Sequence, residues 1–189
     1  YICQNCGTSD GKLNANHRTP FAILLRINSI VSINDAIKCM DLWDINNGET
    51  LCEVCHRLTD SYGLGVLDYG IRTEKWLSKN GIDINSTQFL LDIQELIKNL
   101  FHNQFNKEYT KKDILKVIYQ KNVRVFFHIE NNRVVSMLSL YIVELLSRKL
   151  GVIEEVSTLE EYQGRGFSSA LIEEAINYGE EQKLTCIEL

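Results

Sequence analysis

The sequence predicts an α+β / α/β protein in two parts, a small metal-held finger followed by a mixed β-sheet flanked by helices. Three observations carry this expectation. Two Cys-x-x-Cys pairs, Cys3/Cys6 and Cys52/Cys55, bracket the first segment. After Ser86 the apolar residues first recur at helical spacing and then alternate, giving an element order ααβββαβ. A glycine-bearing turn, Gln163-Gly164-Arg165-Gly166, joins a strand to a helix near the end. A chain of 189 residues is long enough for one medium domain or two small ones.

Composition narrows the field. Hydrophobic residues at 44% and charged residues at 24% are ordinary for a folded globular chain and exclude wholesale disorder. The longest nearly uncharged apolar run, from Val134 to Val143, is too short to span a bilayer as a helix, so no membrane partner is expected. The chain opens on Tyr1-Ile2-Cys3 with neither a secretory signal nor a Met, which leads us to expect a cytoplasmic protein whose natural start lies upstream. The net charge of −5 is spread over both parts, −2 over residues 1–62 and −3 over the remainder. With no basic half, any action on DNA must rest on a local site.

The cysteines define the first element. Two residues between thiols suit a tight turn that points both sulfurs at one ion, and two such turns complete a tetrahedral Zn²⁺ site from Cys3, Cys6, Cys52 and Cys55. Two disulfides or four buried thiols are the alternatives, and the missing secretory signal favours structural zinc. Cys39 and Cys186 read as packing residues. The 45 residues between Cys6 and Cys52 are too many for a plain zinc ribbon, so something is inserted between the knuckles.

That insertion carries Asn16-His17-Arg18-Thr19-Pro20-Phe21, then Asp44-Ile45-Asn46-Asn47-Gly48-Glu49-Thr50-Leu51, then Cys52-Glu53-Val54-Cys55-His56-Arg57 and the trailing Thr59-Asp60-Ser61-Tyr62-Gly63. Over residues 1–63 it resembles the HNH nucleases of the zinc-knuckle type. The resemblance implies a ββα metal finger acting on DNA. Its general base would be His17, and Asn47 would hold the finger and the base in place. A catalytic Mg²⁺ or other divalent ion would be held by His56 and Asn16. Asn16 departs from the family's usual Asp or His, and a neutral carbonyl offers a hard cation less field than a carboxylate does. Histidine suits the base role because its ordinary pKa is about 6.5.

Residues 64–84 are punctuated by glycine and read as a linker with some local packing around Trp76 and Leu77. The second part, 85–189, then builds its own core. Phe89, Leu90, Ile93, Leu96, Ile97, Leu100 and Phe101 mark an amphipathic helix, and Lys111 to Tyr119 a shorter one. Val123, Val125, Phe127 and Ile129 alternate as a strand, Asn131-Asn132 suits a hairpin turn, and Val134 to Val143 returns as the second strand. Gly151 to Thr158 is a third. Gly166 to Gln182 reads as a helix with Phe167, Ala170, Leu171, Ala175 and Ile176 inward and Glu173, Glu174, Glu180 and Glu181 outward, and Leu184 to Leu189 begins another strand.

Glycines between a strand and a helix let backbone N–H groups converge on an anion at the helix N-terminus. The run from Gly151 to Gly166, ending in Gln163-Gly164-Arg165-Gly166-Phe167-Ser168, together with the hairpin from Arg133 to Leu140, resembles the GNAT N-acetyltransferases. The resemblance implies a GNAT-like mixed sheet that binds acetyl-CoA and transfers its acyl group to an amine acceptor. The main chain of Val156, Ser157 and Thr158 would meet the pantetheine and acyl part. The amides of Gln163, Gly164, Arg165, Gly166, Phe167 and Ser168 would hold the pyrophosphate. Glu154 and Glu155 stand where some members place an acceptor contact or a water-mediated base. The family continues past this point with a helix and two more strands, so the resemblance also implies a domain cut short at Leu189. The combined expectation is an HNH endonuclease finger joined to a GNAT-like acetyltransferase domain. A non-catalytic zinc module with a partial coenzyme-binding fold is the alternative.

Overall fold

A computed structural model describes residues 1–59, 62, 68–100 and 109–189. The chain divides into two compact units, Tyr1–Asp68 and Tyr69–Leu189. No helix among the described residues is long and apolar enough to cross a membrane.

In the first unit, β1 (Leu13–His17) pairs antiparallel with β2 (Gly48–Cys52), placing Leu13 opposite Cys52 and His17 opposite Gly48. Between them lie α1 (Phe21–Ile27), which starts after Pro20, and α2 (Ile33–Lys38). Proline is suited to a helix start because its φ is preset and its missing N–H is not needed there. Ser32 and Asp35 close a reciprocal capping box on α2. Ile23, Leu24 and Ile27 of α1 are buried, as is Leu42. The chain leaves β2 straight into α3 (Glu53–Arg57), a helix too short to persist alone. Its support is a small core of Cys3, Leu51, Cys52 and Cys55 with Leu13 packed against it. The result is a ββα finger. Asp60, Ser61 and Gly63 of the nuclease-like run lie outside the described residues.

In the second unit the stretch expected as a linker proves to be mostly helix, α4 (Asp68–Lys79). Leu77 is fully buried and Thr73 nearly so. Tyr119 Oη donates to Glu74 Oε2 at 2.6 Å and Arg124 Nη1 to Thr73 Oγ1 at 2.7 Å. These anchors tie α4 to the sheet unit, which therefore begins earlier than residue 85; residues 64–67 lie outside the described set. Next come α5 (Thr87–Leu100) and α6 (Lys111–Ile118), the latter capped by Thr110 and Asp113. Phe101, expected to extend α5, also lies outside the described residues.

Four strands form one sheet in the order β3 (Val123–Glu130), β4 (Arg133–Glu144), β5 (Lys149–Thr158) and β6 (Cys186–Glu188). The first three pair antiparallel and β6 lies parallel to β5. The β3–β4 hairpin turns on Asn131 and Asn132, both left-handed at φ 50° and 57°, the conformation a two-residue hairpin loop needs to match strand twist. The parallel β5–β6 pairing requires a crossover, supplied by α7 (Phe167–Glu181).

The sheet is covered on both faces. On one, Leu171 and Ala175 of α7 pack with Phe126, Leu138, Leu140 and Ile153. The buried stripe of α7 runs through Leu171, Ala175 and Gly179, at i, i+4 and i+8. This phase carries Ala170 and Ile176, expected inward, out to solvent; Ile176 is 41% exposed. At Gly179 a Cβ would stand 2.5 Å from Ile187 Cδ1, so a side chain there would force the Ile187 side chain to move. On the other face lie α5 and α6, and Phe89 meets Phe127 edge-on at 5.9 Å.

Candidate functional site

The second unit presents its chemistry where β5 breaks its ladder. Ser139 pairs with Glu154, but Met137 pairs with Ser157, so two residues of β5, Glu155 and Val156, stand against Leu138 alone. This is a β-bulge, and Glu155 at φ 57° occupies the left-handed region that non-glycine residues avoid. Without it, strict alternation would send successive side chains to opposite faces. Ser139 Oγ donates to Glu155 Oε2 at 2.6 Å, and both residues line a cavity of about 310 Å³ under α5 and α6. The phenol of Tyr141 is raised above its ordinary value, first by burial and then by the negative charges of Glu155 and Glu154.

Past the bulge β5 is held by hydroxyls. Ser157 Oγ donates to Leu96 O at 2.8 Å on the α5 side. On the α7 side Ser136 Oγ donates to Ser157 O at 2.8 Å, and Thr158 Oγ1 lies 2.8 Å from Ser136 Oγ and 2.7 Å from Ser168 Oγ. Gln163 Nε2 reaches Thr158 O at 3.3 Å. The Thr158–Ser168 bond ties the strand end to the first turn of α7.

The N-terminus of α7 opens without a side-chain cap. Gly164 and Gly166 lie at φ 75° and 83°. A Cβ at either glycine would meet nothing within 4 Å, so their need is for the left-handed backbone rather than for space. The first N–H groups of a helix have no intrahelical acceptor and carry the positive end of its dipole. Phe167, the first residue of α7, stacks face to face on His128 at 4.0 Å, and Arg165 lies over the ring of Tyr162 at 4.8 Å. The expected coenzyme residues 156–158 and 163–168 thus flank a short 3-10 turn, Glu160–Tyr162, between bulge and helix, and the donor set at the helix start fits a pyrophosphate. Sequence reading missed Ser139 and His128. A Ser between Leu138 and Leu140 was the available signal for the first, and nothing local marks the second.

The first unit holds a separate set of groups. The ligand atoms of Cys3, Cys6, Cys52 and Cys55 all lie within 4.8 Å of one another. Cys6 Sγ and Cys52 Sγ are 3.8 Å apart, far beyond a disulfide bond, and all six cysteines are free. A tetrahedral site with Zn–S of about 2.3 Å has sulfur–sulfur edges of about 3.8 Å, so the separation fits Zn²⁺. The thiols share their protons unevenly. Cys3 is held down to about 6, chiefly by the backbone N–H of Cys6 and then that of Cys52. Cys55 is pushed up to about 12: a hydrogen bond with the Asn5 side chain pulls it down, but the Cys52 and Cys6 thiols together with burial outweigh that pull.

Around His17 the backbone is clamped by Asn47. Thr19 N donates to Asn47 Oδ1 at 2.7 Å, Asn47 Nδ2 donates to Thr19 O at 3.1 Å, and Arg18 N donates to Asn47 O at 2.8 Å. His17 itself is exposed, 5.9 Å from the Phe21 ring. His56 is half-buried, edge-on to Tyr62 at 5.1 Å. Asn16 is buried and its Nδ2 donates to Glu49 Oε1 at 2.8 Å, while Arg18 Nε lies 3.4 Å from Glu49 Oε2. Among the described residues the four thiols are the one convergent group of three or more Cys, His, Asp or Glu. Beside Asn16 the Glu49 carboxylate is already engaged by Asn16 and Arg18, and among the described residues no group of three or more such ligands forms around Asn16 and His56 to hold a Mg²⁺.

Residues 90–189 match the acetyltransferase (GNAT) family, wholly within the second unit. Similar solved structures include a putative acetyltransferase from Agrobacterium tumefaciens strain C58, 24% identical with a TM-score of 0.49 over 53% of this chain and 73% of that one. An aminoglycoside acetyltransferase from an uncultured soil metagenomic sample is 19% identical with a TM-score of 0.48, over 60% and 70%. A transcriptional regulator from Bacillus halodurans C-125 gives 19% and 0.48, over 56% and 76%. No curated protein matches the chain.

Proposed function

The chain belongs to the GNAT acetyltransferase family, and we propose that its second unit moves the acetyl group of acetyl-CoA onto a small amine. The observation that carries this reading is the uncapped N-terminus of α7, opened by two left-handed glycines and tied through Ser168 to the end of β5. Acetyl-CoA would supply an activated acyl thioester. The amides of Gly164, Arg165, Gly166, Phe167 and Ser168, with Gln163, would bind its pyrophosphate, and the main chain of Val156, Ser157 and Thr158 would align the pantetheine arm. Glu155, oriented by Ser139, would hold the ammonium of the acceptor and take its proton, because only the neutral amine is a nucleophile. Two held reactants in one cleft replace a bimolecular encounter.

Isothermal titration of the full chain with acetyl-CoA tests the reading. Saturable heat, weakened at least tenfold in Gly166→Asp, is the expected result. No heat at high protein concentration overturns it.

A second reading concerns the first unit: a zinc-held ββα finger of HNH type that cleaves DNA phosphodiesters, with His17 as general base. The Asn47 clamp on Thr19 and Arg18 favours it, since that is the holding role the resemblance implies. Cys3, Cys6, Cys52 and Cys55 would bind one structural zinc. No step is assigned to a second metal, because among the described residues no group of three or more Cys, His, Asp or Glu ligands includes His56. Nicking of supercoiled plasmid, abolished in His17→Ala, is the expected result. Undiminished nicking in that variant overturns the assignment of the base.

A further inference from the structure

We propose that the acceptor is a compact monoamine with an apolar body, an alkylamine or arylalkylamine, lying between α5, α6 and the sheet with its nitrogen at Glu155. This inference rests on the acyl-transfer reading of the second unit and specifies the substrate class of that same site.

The cavity itself selects this class. Its volume of about 310 Å³ lies at the small end of ligand pockets, room for about ten waters. The walls are Ile93 and Ile97 of α5, Ile114 and Val117 of α6, Phe127 of β3 and Met137 of β4. A sugar hydroxyl placed against these side chains would give up its hydrogen bonds to water and find none in return. An apolar body loses nothing there and gains burial.

The polar lining residues are Tyr109, Asp113, Lys116, Gln120, Ser139 and Glu155, and they differ in kind. The Asp113 carboxylate accepts from Thr110 N at 2.9 Å and from Thr110 Oγ1 at 2.6 Å, so it is committed to capping α6. Lys116 is exposed and repels a second positive charge on the ligand. Glu155 is the carboxylate turned into the cavity by the bulge, its orientation fixed by Ser139. One carboxylate that no helix cap occupies, beside mainly aliphatic and aromatic walls, pairs with one ammonium. It does not match a polyamine, whose further charges would be left in apolar surroundings.

The test uses the full chain and three probes: phenethylamine, glucosamine and spermidine. Acetyl-CoA binding is first measured by calorimetry. Amine binding in the presence of CoA is then read by saturation-transfer NMR, and acetylation by release of free thiol. Phenethylamine is expected to bind at least tenfold more tightly than the other two and to show the highest kcat/KM. Val117→Gln, a half-buried change on α6 outside the coenzyme cradle, is expected to weaken phenethylamine about tenfold and leave acetyl-CoA binding as it was. Preference for glucosamine or spermidine, or an unchanged phenethylamine affinity in Val117→Gln, overturns the inference while leaving acyl transfer standing. Failure to bind acetyl-CoA overturns both.

Discussion

Asp92 and Arg133 join the middle of α5 to the start of β4: Arg133 Nε donates to Asp92 Oδ1 at 3.0 Å, and Asp92 Oδ2 accepts from Val134 N at the same distance. Asp92 is 1% exposed, and Gln88 Nε2 fills a further acceptor position at 2.8 Å. The guanidinium is held further above its ordinary value by this bond to Asp92. The pair ties α5 to the sheet, and the neighbouring Ile93 lines the cavity under this helix.

Asp92→Ala should therefore destabilise the second unit by about 1–3 kcal/mol, the cost of leaving a buried backbone N–H without its acceptor, with Arg133 partly rescued by water. Urea unfolding followed by far-UV circular dichroism checks it. A change below about 0.5 kcal/mol, the level of an ordinary surface substitution, would remove the pair from any structural role.

Gly166→Ala should cost about 1–2 kcal/mol, because φ 83° places a Cβ against its own backbone although the surrounding space is open. Thermal melting of the variant measures it. An unchanged midpoint would mean that the turn relaxes to another conformation.

Zinc should be present at one ion per chain by elemental analysis. Cys55→Ala or a strong chelator should unfold the front finger while the sheet unit keeps its amide dispersion in NMR, because metal binding and finger folding are one equilibrium. A finger that stays folded in chelator would sink the assignment.

The Tyr141 phenol should ionise at higher pH than a free tyrosine, as seen by ultraviolet difference titration. Glu155→Gln should bring that transition back down by removing a negative charge that opposes phenolate. The sign for stability follows: a raised folded value contributes fully below the ordinary phenol range, and the contribution is lost as pH rises through the folded value. A transition unmoved by Glu155→Gln would leave burial and the charge of Glu154 as the causes.

Much of this architecture is legible in the residues themselves. Helical periodicity locates α5 and α6, alternation locates β3, and the near-continuous apolar run of β4 fits a strand covered on both faces, while Asn131-Asn132 marks the turn through the left-handed φ both residues tolerate. Legibility stops where burial depends on distant partners. Helix α4 looked like a glycine-punctuated join because its anchors, Tyr119 and Arg124, lie far along the chain. The phase of α7 was misjudged at Ala170 and Ile176, since an alanine suits either face and an isoleucine is often left exposed. The four thiols were readable from spacing alone, whereas the bulge that turns Glu155 inward follows from pairing with β4 and leaves no local mark.

Cys52 ends β2 opposite Leu13, lies 3.8 Å from Cys6 Sγ, and through its own sulfur accepts from Cys55 N at 3.5 Å as the cap of α3. Strand pairing, helix start and thiol cluster thus share a single residue. Oxidation of its sulfur would remove the cap of α3 and one corner of the thiol cluster in the same event, so damage to the front unit should arrive as one step rather than as gradual fraying.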